Sequence, residues 1–412
     1  MNEPVFILGG AQTDFAVHWT RAELTLFDLL SEAVLGALDA ADVDAADVEV
    51  AHVGNFVAEL FTGQGMLGGW LGHVHADLAG TPASRHEGAC ASGSLAALAA
   101  MADLQSDRYG IACVAGVELM RNVSGLDANR HLGAAVWVGR EAIDRPYVWP
   151  AMFSDLAEEY DRRYGLDHVH LMGIAEKNFG NAKHNPNAQT RSWSFTPESF
   201  TDDDEANPVV DGWMRRQDCS QITDGAAVVV LASARAAQEW AARTGRDLDT
   251  VPRIDGWGHT TAPMLLETKL RDSASAEHVF PWVRRAITDA YRRAGIAGPE
   301  QLDAIETHDC FTINEYMAIE HFGLTAPGEA WKAVEDGRIN REGELPVNPS
   351  GGLMGLGHPV GATGVRMLLD ASKQVAGTAG DYQIGGARRV ATYNVGGSAT
   401  TNCSFVVAAG PG

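Results

Sequence analysis

The order of the predicted elements indicates an α/β protein built from two similar halves. Over residues 1–117, apolar runs of strand length alternate with helical periodicity, which is the order typical of a mainly parallel sheet. The same order returns over residues 251–412, although the two stretches share little sequence identity. Between residues 118 and 215 the pattern gives way to aromatic, charged, asparagine and proline residues. We therefore predict a duplicated α/β fold with a loop domain inserted into the N-terminal half, which resumes over residues 216–250.

The elements of the first half follow from the spacing of its apolar residues. Leucines and valines three and four apart predict a helix over residues 24–41, and an alanine- and leucine-rich pattern predicts a second helix after residue 90. The inserted residues are expected to be irregular or helical and to lie over the sheet, where binding loops tend to occur. The strands are predicted at 5–8, 48–57, 111–116 and 224–231.

The second half repeats this series of elements. Strands are predicted at 251–257 and 302–306, the last strands lie within 390–405, and helices are predicted at 281–294, at 314–322 and from residue 365. Aligned by element, the loop-to-helix turn at Cys90 matches that at His358, and the strand ending near Gly54 matches the strand ending at His308. Two such units side by side would place both turns at one crevice, at the C-terminal ends of strands where α/β sites form.

Composition and charge exclude several classes of protein. A chain of 412 residues with 45% apolar residues is long enough for two or three domains or one duplicated core. Its five cysteines are scattered without a C-x-x-C pair, so neither a disulfide framework nor a zinc site is indicated, and a cytoplasmic location is expected. Neither a signal peptide nor a membrane span is predicted. The net charge of -23 argues against nucleic acid or an anionic membrane as the main partner.

Cys90 is the first candidate for chemistry. Small residues and a helical pattern follow it directly, which places it at or near a helix N-terminus. The unpaired N–H groups and the dipole of such a terminus favour the thiolate, the nucleophilic form of cysteine. The alternative is a small buried cysteine in a close-packed turn. A nucleophile would need a base, a proton donor and oxyanion donors from elsewhere in the chain.

Three further motifs could supply those groups. His358 lies in a glycine-rich turn, where an imidazole can deprotonate a thiol, or where it can be a structural histidine. His308 and Cys310 follow a strand, and both residue types can move protons. The alternative is that Cys310 is a core cysteine beside a hydrogen-bonded His308. Gly396 and Gly397 follow a strand pattern. Their N–H groups could face an oxyanion, or the two glycines could form a plain turn.

The four motifs together resemble those of the thiolase superfamily. In chain order they are Gly-Ala-Cys90-Ala-Ser-Gly, His308-Asp-Cys-Phe, Gly-His358-Pro-Val-Gly-Ala-Thr-Gly and Asn394-Val-Gly-Gly. The resemblance covers essentially the whole chain, and His-Asp-Cys-Phe is similar to the third motif of the sterol-carrier-protein-2 branch. It implies the duplicated, five-layered α-β-α-β-α thiolase fold. Residues 118–215 would be the loop domain that covers the site and holds coenzyme A, with neither a metal nor a permanently bound cofactor.

The resemblance also implies roles for the residues of the site. Cys90 would accept the acyl group, and His358 would activate it as a base. His308 would help to form one oxyanion hole together with a water molecule. The N–H of Cys90 and an N–H from the Gly396–Gly397 turn would form the other.

One position departs from the pattern of many thiolases. These carry a second catalytic cysteine in the last motif, where this chain has Asn394. The His-Asp-Cys-Phe branch places that acid/base cysteine in the third motif, so Cys310 would take the role.

Several other residues attract attention in the sequence. Three arginines of the loop domain are candidate partners for coenzyme A phosphates. Two pairs of histidines have a spacing that can ligate metal, but no third ligand is indicated, and three cysteines in or beside apolar strand patterns are predicted to be inert. These residues are Arg121, Arg130 and Arg140; His73, His75, His168 and His170; and Cys113, Cys219 and Cys403.

The leading functional hypothesis is a thiolase-type acyltransferase of lipid metabolism that acts on coenzyme A thioesters through a Cys90 acyl-enzyme, by thiolysis of 3-oxoacyl-CoA or the reverse condensation. One alternative transfers acyl groups to a non-CoA acceptor, or cleaves a side chain by a retro-aldol step with a small zinc-ribbon or OB-fold partner. Another is a non-catalytic acyl-CoA or lipid-binding subunit. The resemblance also implies a homodimer or homotetramer. No motif reveals the acyl chain length or ring system of the substrate, or the direction of the reaction.

Overall fold

The computed structural model describes residues 3–409 of the chain. Its strands are β1 (Val5–Gln12), β2 (Val50–Gly54), β3 (Ala83–His86), β4 (Ile111–Glu118), β5 (Val209–Asp211), β6 (Met214–Arg215), β7 (Gly225–Ala232), β8 (Arg253–Thr261), β9 (Ala304–Thr307), β10 (Arg389–Gly396) and β11 (Thr401–Ala408). Its helices are α1 (Leu26–Ala41), α2 (Ala58–Thr62), α3 (Leu71–Val74), α4 (Ser92–Gln105), α5 (Gly125–Leu132), α6 (Val148–Tyr164), α7 (His168–Ala182), α8 (Ala234–Thr244), α9 (Leu266–Asp272), α10 (Pro281–Ala294), α11 (Thr312–Phe322), α12 (Ala330–Glu335), α13 (Gly352–Gly355) and α14 (Thr363–Ala376).

One sheet of nine strands runs through the protein in the order β3-β2-β4-β7-β1-β8-β11-β10-β9. It has two parts, which meet where Val5 and Phe6 of β1 pair with Ile254 and Arg253 of β8. From that junction the first part reads β1-β7-β4-β2-β3 and the second reads β8-β11-β10-β9. A parallel bridge between β9 and Val347 stands where β3 stands in the first part. The two halves therefore repeat one topology.

The prediction of a mainly parallel sheet was wrong, because the sheet is mixed. β2 pairs in parallel with β3 and β4, and β9 with β10. β7 runs antiparallel to both of its neighbours, and so does β11. Residues 397–400 join β10 to β11, and a connection this short permits antiparallel pairing alone. β7 reaches its place between β4 and β1 after a long excursion of the chain, which local sequence patterns do not reveal.

Three helical layers enclose the two parts of the sheet. α4 and α14 pack against apolar side chains from both parts, and nearly every residue of α14 is buried. α1 and α8 cover the other face of the first part, whereas α10 and α11 cover the other face of the second. The predicted five-layered α-β-α-β-α architecture is confirmed.

Local signals set several of the element boundaries. Thr25 caps α1 with its hydroxyl, and Asp28 completes the capping box, so the helix begins two residues later than its apolar pattern. The stretch predicted to supply the last strands, 390–405, lies in a hairpin of two strands, as expected. Residues 118–215 contain α5, α6, α7, β5 and β6. Within residues 3–409, no helix combines the length and the apolar character that crossing a membrane requires.

Candidate active site

Cys90 lies in a short 3-10 turn, Ala89–Ala91, directly before α4. Ala89 has a φ of 51°, a conformation that L residues rarely adopt and that costs about 1–3 kcal/mol. Ser92 secures this turn, because its hydroxyl donates to the Ala89 carbonyl at 2.6 Å and accepts the N–H of Gly88 at 3.0 Å. The strained turn brings the Cys90 side chain to the wall of a cavity.

The protonation state of Cys90 differs from the expectation for a helix N-terminus. The N–H groups of Cys90 and Gly397 favour the thiolate and lower the pKa of Cys90. Burial acts in the opposite direction and outweighs them, with a further contribution from the Glu118 carboxylate, so the pKa rises to about 12. Cys90 is therefore a neutral thiol, and a base would be needed to form its thiolate.

His358 is held as a neutral base. Its Nδ1 lies 2.7 Å from the hydroxyl of Thr363, which itself donates to the Pro359 carbonyl at 3.2 Å. The hydroxyl therefore accepts from Nδ1–H, which assigns the proton to Nδ1 and leaves a lone pair on Nε2. Nε2 is buried without a hydrogen-bond partner among the described residues. Burial, with the charge of Arg366, lowers the pKa of His358 to about 3.

His308 has the opposite tautomer. Its Nδ1 lies 3.0 Å from Nδ2 of Asn394 and accepts the Val395 N–H at 3.4 Å. The amide of Asn394 is oriented by Ser94, whose hydroxyl donates to Oδ1 at 2.8 Å. Nδ1 of His308 is thus an acceptor, so the proton lies on Nε2. Burial, then the neighbouring His358, holds the pKa of His308 well below its usual range, which makes this histidine a neutral hydrogen-bond donor.

The three groups meet at one point. The sulfur of Cys90 and one ring nitrogen from each of His308 and His358 lie within 4.8 Å of one another, and the two rings are perpendicular at 5.0 Å. Cysteine and two histidines could in principle ligate zinc. Ligation through Nε2 would move the His308 proton to Nδ1, where it would face the amide protons of Asn394. The arrangement favours a nucleophile, a base and a donor over a metal site.

Cys310 lines the same cavity as Cys90. Burial, then the proximity of Cys90, raises the pKa of Cys310 well above its usual range, so it is a neutral thiol. Nδ2 of Asn314 lies 3.5 Å from its sulfur. Its position is suited to a proton donor for a group bound between the two cysteines.

The turn after β10 reaches Cys90 because it is built from glycine. A Cβ at Gly396 would lie 2.0 Å from the Gly88 carbonyl oxygen, inside the turn that carries the nucleophile. Gly397 lines the cavity with a φ of 64°. Asn394, which sequence reasoning grouped with this turn, acts instead through His308 by the hydrogen bond described above.

Glu118 is a buried residue of the site that sequence reasoning missed. Its carboxylate accepts the N–H of Phe56 at 2.9 Å, the N–H of Gly361 at 3.1 Å and the Asn55 amide at 2.9 Å. Burial raises its pKa to about 7. It ties the end of β2, the end of β4 and the His358 loop together, and nothing in its local sequence signals this role.

The cavity has a volume of about 550 Å³ and mostly apolar walls. Aromatic residues contribute a large share of the lining, and Arg216 is the one lysine or arginine among the lining residues described. Cys219, which the sequence pattern predicts to be an inert cysteine, also lines the cavity. The aromatic lining residues are Phe56, Tyr147, Trp149, Phe153 and Phe311.

The three arginines predicted to meet phosphates lie outside this lining. The guanidinium of Arg121 donates to the Val17 carbonyl at 3.1 Å. Arg130 pairs with Asp127 at 2.8 Å, and Arg140 lies 4.7 Å over the ring of Trp137 at a separate cleft. Arg216 is better placed for an anionic group at the cavity mouth.

Models of the thiolase N-terminal domain and the thiolase C-terminal domain match residues 5–235 and 267–409. An acetyl-CoA acetyltransferase of Methanothermobacter thermautotrophicus is 32% identical over 96% of this chain and 97% of its own length. The chicken sterol carrier protein 2 is 28% identical over 96% of this chain and 70% of its own length.

Two solved structures show the same fold. The Ltp2-ChsH2(DUF35) aldolase superposes with a TM-score of 0.77 and 21% identity, over 98% of both chains. The human mitochondrial 3-ketoacyl-CoA thiolase in complex with CoA has a TM-score of 0.71 and 16% identity, over 99% of this chain and 98% of that chain.

Proposed function

Since this chain belongs to the thiolase family and is an acyltransferase, we propose that it exchanges acyl groups between coenzyme A thioesters through an acyl-enzyme on Cys90. The predicted family and its sterol-carrier-protein-2 branch are thereby confirmed. The observation that carries the proposal is the pair of opposed tautomers beside one thiol. A lone pair of His358 and an N–H of His308 face the same cavity as Cys90.

Acylation of Cys90 is the first half of the reaction. As the sulfur attacks the 3-oxo carbon of a 3-oxoacyl-CoA, the thiol proton passes to Nε2 of His358. Because the thiol and the imidazole are both neutral at rest, this transfer accompanies the attack. The N–H groups of Cys90 and Gly397, which already face the sulfur, receive the oxyanion. Collapse breaks the C2–C3 bond and leaves the acyl group on Cys90.

Protonation of the leaving enolate and then deacylation complete the exchange. The departing acetyl-CoA or propionyl-CoA enolate accepts a hydrogen bond from Nε2 of His308 and takes its proton from the Cys310 thiol. Free coenzyme A then gives its thiol proton to the Cys310 thiolate and attacks the Cys90 thioester. The Cys90 thiolate leaves and recovers its proton from His358. Run backwards, the same steps form a carbon–carbon bond.

The surroundings of the site fit a long thioester substrate. Residues 118–215 are the proposed cover, since Asn129, Tyr147 and Trp149 from this stretch line the cavity. The apolar walls suit an acyl chain, and Arg216 suits a coenzyme A phosphate. The partners we propose are coenzyme A, acyl-CoA and a second copy of the chain, in the cytoplasm.

Intact-mass measurement tests the acyl-enzyme directly. Incubation with acyl-CoA should add one acyl mass to the protein, and free coenzyme A should remove it. Cys90→Ala should form no adduct, whereas Cys219→Ala, a change in the same cavity wall, should form it normally. Full turnover by Cys90→Ala would refute the proposal, and so would the absence of an adduct across a panel of acyl-CoA chain lengths and ring systems.

A retro-aldol lyase is the second candidate function. Its support is the superposition on the Ltp2-ChsH2(DUF35) aldolase, which contains two proteins. Carbon–carbon cleavage of a β-hydroxyacyl thioester needs a base but no thiol, so the retained Cys90 and His358 favour acyl transfer. Cleavage of such a thioester by Cys90→Ala, in the presence of a small zinc-ribbon or OB-fold protein, would reverse this preference.

Two further alternatives remain distinguishable by assay. Transfer of the acyl group to an amine or alcohol, but not to coenzyme A, would identify a non-CoA acceptor. Tight acyl-CoA binding without adduct or turnover would identify a non-catalytic binding subunit.

A further inference from the structure

Lys269 is buried beneath the turn that carries Gly397. It projects from α9, outside all four motifs, and is 3% exposed. Its Nζ lies 2.7 Å from both the carbonyl oxygen and the hydroxyl of Ser398, 2.8 Å from the hydroxyl of Thr400 and 3.1 Å from the Met264 carbonyl. Three of these four oxygens belong to the turn between β10 and β11, so the ammonium organises that turn more than its own helix.

The turn needs outside support to hold its shape. Gly397 has a φ of 64° and Ala399 a φ of 62°, and a non-glycine residue in this region costs about 1–3 kcal/mol. Such conformations persist where the surrounding structure holds them. Among the described contacts, the ammonium of Lys269 is the cation that binds this turn.

Stability alone does not account for a lysine at this position. Burial of an ammonium is costly, and a well-packed apolar side chain often serves stability equally well. Burial lowers the pKa of Lys269 to about 7, although the nearby Glu141 carboxylate raises it. Glu141 is itself engaged with the first N–H of α9 at 2.7 Å. Burial therefore acts against the charged form of Lys269, and its Nζ nevertheless stands within hydrogen-bond distance of oxygens that lie next to the oxyanion donor.

We propose that Lys269 is a positioning residue for the oxyanion hole, which fixes the Gly397 N–H on the Cys90 sulfur by binding Ser398 and Thr400. Its catalytic consequence rests on the proposed acyl transfer. The effect of Lys269 on Cys90 itself does not rest on it, because Gly397 and Cys90 line the same cavity and the Gly397 N–H lowers the pKa of the Cys90 thiol in the resting protein.

Alkylation of Cys90 tests the positioning without any acyl substrate. The rate of modification by iodoacetamide is measured against pH by peptide mass mapping in the wild type and in Lys269→Met. The Gly397 N–H stabilises the thiolate, so its displacement should slow alkylation about tenfold at pH 8 and move the profile to higher pH. Lys177→Met is the control, because it removes another buried ammonium, paired with Glu315, away from the turn. It should change the rate less than about twofold.

Acyl transfer supplies the second readout. Lys269→Met should lower kcat about tenfold or more while KM changes little, because an oxyanion donor acts in the transition state. Thr400→Val removes one oxygen partner of Nζ and leaves the Lys269 amino group in place, and it should shift both readouts in the same direction by a smaller factor. It keeps the proposal testable if Lys269→Met fails to fold.

The outcomes separate the two proposals. An unchanged alkylation profile in folded Lys269→Met overturns the positioning role, even if kcat falls, and so does an unchanged profile in Thr400→Val where Lys269→Met does not fold. A shifted profile in a protein that shows no acyl transfer supports the positioning role and rejects the proposed function.

Discussion

Replacement of Thr363 by valine would change the preferred tautomer of His358 while preserving its position. The hydroxyl of Thr363 is the acceptor for Nδ1–H of the imidazole at 2.7 Å. Valine has the same shape but cannot accept this hydrogen bond. The Pro359 carbonyl, to which the hydroxyl also donates, keeps the N–H groups of Ala362 and Thr363 at 2.8 and 3.1 Å. The substitution therefore leaves one polar group unpaired, Nδ1–H.

The size of the effect follows from the cost of that unpaired donor. A buried donor without a partner costs about 1–3 kcal/mol. The tautomer with the proton on Nε2 directs its N–H into the cavity instead, and it cannot accept the Cys90 proton. At about 1.4 kcal/mol per factor of ten, the population of the basic tautomer falls about 5- to 150-fold. Acylation of Cys90 should slow by the same factor.

Single-turnover acylation followed by rapid quench and intact mass measures this rate directly. Thr190→Val is the matched control, since its equally buried hydroxyl donates to the Gly355 carbonyl at 2.8 Å, on the same loop but away from the imidazole. It should slow acylation less than about twofold. Equal rates in Thr363→Val and the wild type, or equal losses in both variants, would refute the tautomer assignment.

Three other perturbations follow from the same geometry. Gly396→Ala places a Cβ 2.0 Å from a backbone oxygen of the nucleophile turn, so its unfolding free energy should fall by about 1–3 kcal/mol in denaturant titration; Gly385→Ala, with open space around it, should not show this loss. Arg216→Met should raise KM for acyl-CoA about fivefold or more and leave kcat nearly unchanged, whereas an equal effect from Arg130→Met would contradict the assignment of the phosphate site. Because burial lowers the pKa of His358 to about 3, its base form persists as pH falls to about 5, so a kcat/KM profile with an acidic limb near pH 6.5 would contradict a buried neutral base.

The parts of the site that were predictable from sequence are those written in short local motifs. Cys90 and His358 stand in glycine-rich turns, and Gly396 shows why: a side chain there would collide with the backbone of the Cys90 turn. Close approach of two backbones leaves a composition that can be read without a structure. The order of elements likewise predicts the duplication, because the two halves repeat one topology.

The features that sequence did not reveal depend on pairing and burial. β1 and β7 are far apart in the chain, so their antiparallel pairing left no local signal. The raised pKa of Cys90 reflects burial, which outweighs the N–H groups that the motif does predict. Glu118 and Lys269 act through partners distant in sequence, and Arg216 differs from other arginines by facing the cavity.

The duplicated topology accounts for the division of labour in the site. The end of β2 corresponds to the end of β9, so Asn55 and His308 occupy equivalent positions. In the first half this position is structural, because Asn55 donates to the Glu118 carboxylate and helps to hold the loops around Cys90. In the second half the position is occupied by His308, whose Nε2 faces the cavity. In the proposed mechanism the first half thus supplies the nucleophile and a rigid frame, and the second supplies the base and the donor. That mechanism draws on groups from both halves, so it requires the junction that brings the two repeats together.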